Sequence, residues 1–311
     1  MKIVMKDVVK KIYRKHPALT TLTALTLVGM TAIVSAQTQT PGIAFITDVK
    51  GAATLDANKV NLMAELKKGA RLGCAGTCEV GVMFLQSGKE FVLKGPGDFV
   101  VSDSEVAAKV GPPPKVRETE WKVSGKTVNA LSQATSSASI RMRSIGSGSA
   151  APAPAAPLPV ERLLYPTMTT VVSLQPAFHW ASANENGPFE FELKANATPA
   201  KNVYKAKANT ANIKLPNSIK LQPDTEYTWI VKAAGGAGLV VGTSTFKTLT
   251  TAALEVVQKR KPADKAEFSD QLLYALTLQE LGAQQDASEV FAKLAKDRPD
   301  LPELAGLVVK P

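Results

Sequence analysis

Two cysteines, Cys74 and Cys78, have the residue type and spacing that could carry covalent chemistry. Their spacing is C-x-x-x-C, whereas thioredoxin-type redox motifs and haem attachment use C-x-x-C. A zinc site needs three or four ligands, and the only histidines are His16 and His179. We therefore expect no metal site. An even number of cysteines in an exported chain favours a disulfide, and two free buried thiols are the alternative.

The three residues between the cysteines are typical of a tight loop between strands. Gly76 at their centre can adopt a positive φ without steric cost. Residues that flank such a loop face each other at a distance that a disulfide can bridge. A disulfide between Cys74 and Cys78 closes only a small ring, so we expect it to stabilise the fold by no more than about 2 kcal/mol. It should pin a turn rather than hold the protein together.

The N-terminus predicts export. Six basic residues precede the apolar run at 18–34, and the small-residue pattern Val34-Ser35-Ala36 follows it, which is the order of a secretory signal peptide. We expect cleavage after Ala36 and a periplasmic mature chain. The alternative is an uncleaved anchor, for which this threonine-rich run is at the short limit. No later stretch is long and apolar enough, so we expect no transmembrane segment in the mature chain.

The charge balance argues against a nucleic-acid partner. The 311 residues include 37 Lys and Arg and 27 Asp and Glu, and six of the basic and one of the acidic residues lie in 1–36. The remaining 275 residues therefore carry a modest net charge of +5, which is spread along the chain. A nucleic-acid footprint needs a clustered basic face. The length indicates two or three small domains.

Residues 42–110 alternate apolar and polar character between glycines, as in a small all-β domain. The stretches VKGAATL (49–55), LKKGARLGC (66–74) and VGVMFLQSGKEFVLKGPGDFVV (80–101) resemble the FecR-like domain. The positions that match its motifs are Leu66, Gly69, Leu72, Gly88, Leu93, Gly95 and Val100. The resemblance implies an extracytoplasmic domain without catalytic residues. Only 17 residues precede the apolar run, so the cytoplasmic signalling tail of that family's regulator is not expected.

The middle of the chain predicts a spacer. Residues 144–160 are rich in Ser, Gly, Pro and Ala, a composition that cannot bury a core. We interpret them as a linker whose flanking regions move independently, which assigns the preceding β domain to 42–143. Within that domain we expect a further strand around Trp121 and Val123, whereas 111–143 otherwise gives no clear pattern.

Residues 161–249 predict a second β domain, with strands near 171–173, 177–180, 189–193, 212–215, 225–232 and 240–246. One segment resembles the L-x-P-x-T-x-Y-x-W pattern of fibronectin type III domains, and its residues are Leu221, Pro223, Thr225, Tyr227 and Trp229. That resemblance implies a β-sandwich in which the tyrosine hydrogen-bonds back to the main chain at a corner. We expect Trp180 and Trp229 in the core rather than in a sugar platform, and His179 on the opposite, exposed face.

The last region, 250–311, predicts helices. We expect one helix at 252–261 and a second, capped by Asp264, that runs to about Leu281. A third helix carries an amphipathic stripe that includes Ala287, Phe291 and Leu294. The second and third helices together resemble one tetratricopeptide repeat. A single repeat cannot bury its own face, so we expect the 252–261 helix or the sandwich to cover it. If neither does, the face is an interaction surface.

The sequence thus predicts a mainly β, multidomain protein with a C-terminal α-helical hairpin. We expect a non-enzymatic interaction or scaffold protein of the bacterial envelope, without cofactors, whose partner is an envelope protein or polymer. The alternative is a protein that binds envelope carbohydrate or peptidoglycan, or a hydrolase. A hydrolase needs two opposed carboxylates, for which Asp98, Asp103 and Glu105 are the candidates, and no pattern pairs them.

Overall fold

The computed structural model describes residues 42–119, 121–133, 162–182, 187–233, 240–263 and 265–308, all within the compact unit Thr40–Pro311. The predicted signal peptide at 1–36 and the predicted linker at 144–160 lie outside the described residues. Across the described residues the chain is mainly β with a helical C-terminal region, which confirms the predicted fold class.

The first β domain consists of two five-stranded antiparallel sheets with a common hydrophobic interior. Its strands are β1 (Ala44–Lys50), β2 (Ala53–Leu55), β3 (Asn58–Lys59), β4 (Glu65–Leu66), β5 (Arg71–Cys74), β6 (Glu79–Phe84), β7 (Lys89–Lys94), β8 (Gly97–Val101), β9 (Val106–Val110) and β10 (Lys115–Glu118). Sheet A has the order β10-β7-β6-β1-β4, and sheet B has the order β3-β2-β5-β8-β9.

The central strands of sheet A are buried on both faces. A strand with one face in water buries every second residue. In contrast, β1 buries four residues in a row, Ala44 to Thr47, and β6 buries every residue from Val80 to Phe84. Sheet B covers one of these faces. The other face must be covered by a further layer, and the C-terminal helices supply it.

The second β domain is a two-sheet sandwich. Its strands are β11 (Arg162–Tyr165), β12 (Thr169–Val171), β13 (Ala177–Ala181), β14 (Phe189–Ala195), β15 (Lys201–Ala208), β16 (Asn212–Lys214), β17 (Glu226–Ala233) and β18 (Val240–Thr248). Sheet C has the order β11-β13-β16, and sheet D has the order β12-β18-β17-β14-β15. The pair β12–β18 is parallel and the others are antiparallel.

Aromatic side chains fill the sandwich. The Phe178 ring lies 4.8 Å from the Phe191 ring and 5.2 Å from the Trp229 ring, measured between centroids. Trp180 and Trp229 are both buried, which confirms that they belong to the core and not to a surface platform. The neighbouring His179 is exposed, as the alternation of β13 predicts.

The helices are α1 (125–133), α2 (Thr251–Arg260), α3 (Phe268–Glu280) and α4 (Gln284–Asp297), and a 3₁₀ helix (Pro302–Leu307) follows them. The Thr250 side chain caps α2 by accepting a hydrogen bond from the Ala253 N–H. The predicted start of the second helix is wrong: α3 begins at Phe268 with Glu267 at its N-cap, and Asp264 lies outside the described residues. Gly282, with a φ of 78°, ends that helix as predicted.

Two further expectations are corrected. The strand expected at Trp121–Val123 is irregular chain that leads into α1. The two regions on either side of the predicted linker were expected to move independently, but the C-terminal helices contact both of them through hydrogen bonds. The helices follow the second β domain in sequence and complete the first one in space.

Candidate functional site

The amphipathic stripe of α4 is buried, as expected for a packing face and not for the alternative interaction surface. Ala287, Phe291 and Leu294 are at most 1% exposed, and they share one hydrophobic cluster with sheets A and B. We call this cluster the shared core. We expected α2 or the sandwich to cover this stripe. Val257 of α2 does contribute to the cluster, but the first β domain supplies most of its remaining side chains. The stripe is therefore an internal packing surface.

A partly buried ionic network fixes α3 to sheet A. The Arg117 guanidinium on β10 donates through Nη1 to both Asp270 oxygens of α3, at 2.7 and 2.9 Å. The same side chain donates through Nε and Nη2 to Glu90 Oε2 of β7. Glu90 is 2% exposed, and its other oxygen accepts from the Thr47 hydroxyl at 2.7 Å. The Trp121 Nε1–H also donates to Asp270, at 3.1 Å. Buried charges need this degree of pairing.

A second polar contact fixes the end of α4 to β1. Arg298 donates to Asp48 and to the Val49 carbonyl, both at 2.7 Å, and to Asp300. Its guanidinium also lies 4.8 Å from the centre of the Phe268 ring, a cation–π arrangement. Together with the Arg117 network, this contact anchors the helices to sheet A.

The start of α4 contacts the sandwich. Gln285 donates through Nε2 to the Leu164 carbonyl at 2.7 Å and accepts from the Thr167 N–H at 3.0 Å. The Thr170 N–H donates to the Gly282 carbonyl at 3.2 Å. The short segment from Gly282 to Gln285 therefore holds the sandwich against the helical layer. We call these contacts the helix–sandwich joint.

Asp286 is the titratable group at this joint. One of its oxygens accepts from the Val172 N–H and the other from the Tyr165 hydroxyl, each at 3.4 Å. Burial raises the pKa of Asp286 to about 6. The Val172 hydrogen bond opposes this rise, and the Glu289 charge adds to it. The carboxyl group therefore changes its charge in mildly acidic solution.

The structure joins Cys74 and Cys78 in a disulfide, with 5.4 Å between their Cα atoms. The expected tight loop joins β5 to β6, with Gly76 at a φ of 56°, and because these strands belong to different sheets the disulfide turn crosses between the sheets. Gly95 packs directly on this turn. A Cβ at Gly95 would lie 2.7 Å from the Gly76 carbonyl oxygen and 2.8 Å from the Cys74 carbonyl oxygen, so a larger residue would displace the turn.

A trough of about 740 Å³ opens beside the disulfide on the outer face of sheet B. The register of the strands places Lys59, Thr54, Gly73 and Asp98 in one row across four neighbouring strands. Gly73 lies in the middle of this row and has no side chain. A Cβ at Gly73 would lie 2.6 Å from Thr54 Oγ1 and 3.6 Å from Asp98 Oδ1, so the Thr54 hydroxyl occupies the space above Gly73 and the Asp98 carboxylate lies next to it.

Among the four residues of this row, only Asp98 is a candidate from the sequence, where it is considered as a hydrolase carboxylate. The sequence pairs none of the three hydrolase candidates, and their positions agree with this: Asp98 is the second residue of β8, whereas Asp103 and Glu105 follow the end of that strand. Asp103 pairs with Lys68 at 2.6 Å. Lys59, Thr54 and Gly73 lie on three different strands, β3, β2 and β5. No spacing pattern in the sequence indicates that they are neighbours.

The corner of the sandwich has the hydrogen bond from the main chain that was expected at Tyr227. The Tyr227 hydroxyl accepts a hydrogen bond from the Gln222 N–H at 2.8 Å. Leu221, Tyr227 and Trp229 are buried, and the Trp229 Nε1–H donates to the Pro166 carbonyl at 2.7 Å. Thr225 donates to the Pro223 carbonyl at 2.9 Å, which closes the turn before β17. These residues therefore have a structural role.

Within the described residues, no group of three or more His, Cys, Asp or Glu side chains could hold a metal ion. No protein-family model matches the chain, and no curated protein matches it. Among the helices that the structure describes, none is both long and apolar enough to span a membrane.

Proposed function

We propose that this protein is a non-enzymatic, extracytoplasmic scaffold of the bacterial envelope that holds two β domains in a fixed arrangement. The observation that carries the proposal is the double contact of the C-terminal helices. Arg117 and Arg298 tie the helical layer to sheet A, and the Gly282–Gln285 segment ties the same layer to the sandwich. A protein that binds partners through two surfaces at once needs a fixed distance and orientation between them, and the helical layer provides this.

Other features support the envelope location. The disulfide is of a kind that persists in oxidising compartments, and the N-terminal order of basic, apolar and small residues is that of an export signal. The proposal includes a periplasmic mature chain and the three family resemblances: FecR-like, fibronectin type III-like and tetratricopeptide-like. Because the stripe of the single repeat is buried, the partner surfaces of the scaffold are assigned to the β domains.

Site-specific photo-crosslinking in intact cells tests this function. A crosslinking residue is placed singly at exposed positions of the first β domain, Val110 and Val116, and of the sandwich, Met168 and Val240. A scaffold should give protein adducts from at least one position in each β domain. The buried Phe291 serves as the matched position that should give no intermolecular adduct.

The same cells distinguish the alternative function. A carbohydrate or peptidoglycan binder should give no protein adduct at any of the four positions, and the purified protein should sediment with isolated cell-wall sacculi. That combination of results would contradict the scaffold proposal. Protein adducts from both β domains, without sedimentation, would support it.

A further inference from the structure

We propose that the trough on sheet B is a binding site for a short extended peptide whose amino and carboxyl ends are both free. The site lies on the face of the first β domain that is lined by Lys59, Thr54, Gly73 and Asp98, whereas the proposed scaffold function rests on the helices. The inference therefore goes beyond that function and stands or falls separately from it.

The size of the trough fits such a ligand. Lys59 and Asp98 stand on strands that are three spacings apart, which separates their Cα atoms by about 14 Å. An extended chain advances by about 3.4 Å per residue, so about four residues span this distance. The volume of about 740 Å³ can hold a peptide of that length with small side chains.

The charges at the two ends of the row are complementary to a zwitterion. Lys59 and Asp98 are exposed, and neither forms an ion pair within the described residues. Asp98 can accept from an ammonium group, and the nearby Thr54 hydroxyl can accept as well. Lys59 can donate to a carboxylate at the opposite end. The structure thus assigns the amino end to Asp98 and the carboxyl end to Lys59.

The floor favours a peptide main chain over a sugar. The trough is lined by small residues, which are Ala52, Gly73, Ala75, Pro96 and Gly97, so its lining leaves room for a peptide main chain. Among the described residues, no aromatic side chain lines the trough, although stacking on aromatic rings is a common way to bind a sugar face. Exposed Val110 forms an apolar wall beside Asp98, where it can contact a small apolar side chain next to the amino end.

The probe is tetraalanine, titrated into the whole mature protein by calorimetry or followed by amide chemical shifts. A trough that is open to solvent predicts weak binding, with a Kd of about 1 mM. N-terminal acetylation or C-terminal amidation should each weaken binding about tenfold, because each removes one charged contact. Chemical-shift changes should concentrate on β2, β5 and β8.

Two matched variants assign each end. Lys59→Gln should abolish the preference for the free carboxylate and keep the preference for the free amine, and Asp98→Asn should do the reverse. Both side chains are exposed, so neither change should alter the fold. Lys68→Gln is the control, because Lys68 is exposed and lies outside the trough.

Three outcomes would overturn the proposal. The first is no binding of tetraalanine at about 10 mM, ten times the expected Kd. The second is equal binding of the free, acetylated and amidated peptides. The third is binding whose end preferences survive in both Lys59→Gln and Asp98→Asn, since the ligand would then lie elsewhere. None of these results would affect the crosslinking test at Val116, Met168 and Val240, because these three positions lie outside the trough.

Discussion

The two hydrophobic cores of this protein are assembled from the chain in different ways. The sandwich core draws its buried side chains from the single stretch 171–246. The shared core combines side chains from 44–131 with side chains from 249–307, so it closes only when both ends of the described chain meet. The sandwich is thus inserted between two halves of another folding unit.

This difference has consequences for stability. Contacts within the sandwich are of moderate sequence separation, whereas the Arg117–Asp270 and Arg298–Asp48 pairs join residues that are 153 and 250 positions apart. A substitution in the C-terminal helices should therefore lower the stability of the first β domain. The core of the sandwich should stay intact, although the sandwich is nearer to the helices in sequence. Residues that share one core are coupled, and well-separated residues behave additively.

The largest effect is expected from Phe291→Ala. Phe291 is fully buried in the shared core, so its truncation should lower the free energy of unfolding by about 3–5 kcal/mol. Denaturant unfolding of the full mature chain, followed by circular dichroism, measures this change. Val256→Ala on α2 is a control, because Val256 is 38% exposed and should cost much less. Equal effects of the two substitutions would contradict the assignment of the helices to this core.

A smaller loss is expected from Arg117→Ala. The substitution leaves Glu90 buried without its cation, and the loss should be about 3 kcal/mol, at the low end for a buried pair because Arg117 is 35% exposed. The control is Lys68→Ala, which breaks an exposed pair with Asp103 and should cost less than about 1 kcal/mol. The double variant with Glu90→Gln should recover part of the stability. If the double variant is no more stable than Arg117→Ala, unpaired Glu90 is not the cause.

Tyr227→Phe tests the other core. It removes the hydroxyl that accepts from the Gln222 N–H and should lower the stability of the sandwich by about 1 kcal/mol. Tryptophan fluorescence follows this change, since two of the three tryptophans, Trp180 and Trp229, lie in the sandwich and only Trp121 lies in the shared core. Hydrogen exchange in sheet A should stay unchanged. An equal loss of protection in both sheets A and D would show that the cores are not separate.

A further effect concerns the helix–sandwich joint and depends on pH. The pKa of Asp286 is raised from 3.8 to about 6, so the folded state favours the protonated form. Its contribution to stability is fully present below about pH 3.8 and is lost as the pH rises through about 6. Asp286→Asn should remove this pH dependence and be more stable than the wild type above pH 6. The difference should shrink in acid.

A companion variant sharpens the pH test. The Glu289 charge contributes to the raised pKa of Asp286, so Glu289→Gln should move the pH dependence of stability to lower pH without removing it. Thermal unfolding at a series of pH values measures both variants. A wild type whose stability does not change between pH 4 and pH 6.5 would exclude Asp286 as the responsible group.

Local patterns predicted much of each core. The alternation of Phe189, Phe191 and Leu193 predicts β14, and the stripe of Ala287, Phe291 and Leu294 predicts the buried face of α4. The lysine-rich strand β15 was not predicted, because it lies at the edge of sheet D and Ala208 is its one buried residue. Helix α1 was not predicted, because Gly111 and the three prolines at 112–114 interrupt any regular element and residues 111–143 show no clear helical pattern.

The pairing of the two chain ends could not be predicted from local patterns. The sequence does carry a signal, the unbroken apolar runs of β1 and β6, which indicates that both faces of sheet A are covered. It does not say which segment supplies the cover. The polar row of the trough has no sequence signal, because Lys59, Thr54, Gly73 and Asp98 are joined only by the strand register.

Hydrogen–deuterium exchange of Phe291→Ala tests the shared core most directly. The central claim is that α3 and α4 form one folding unit with sheet A and that the sandwich is a separate unit. The variant should therefore exchange faster than the wild type in β1 and β6 as well as in α3 and α4, while β14 and β17 keep their wild-type rates. Faster exchange confined to the helices, or equally fast exchange in β14 and β17, would contradict the account.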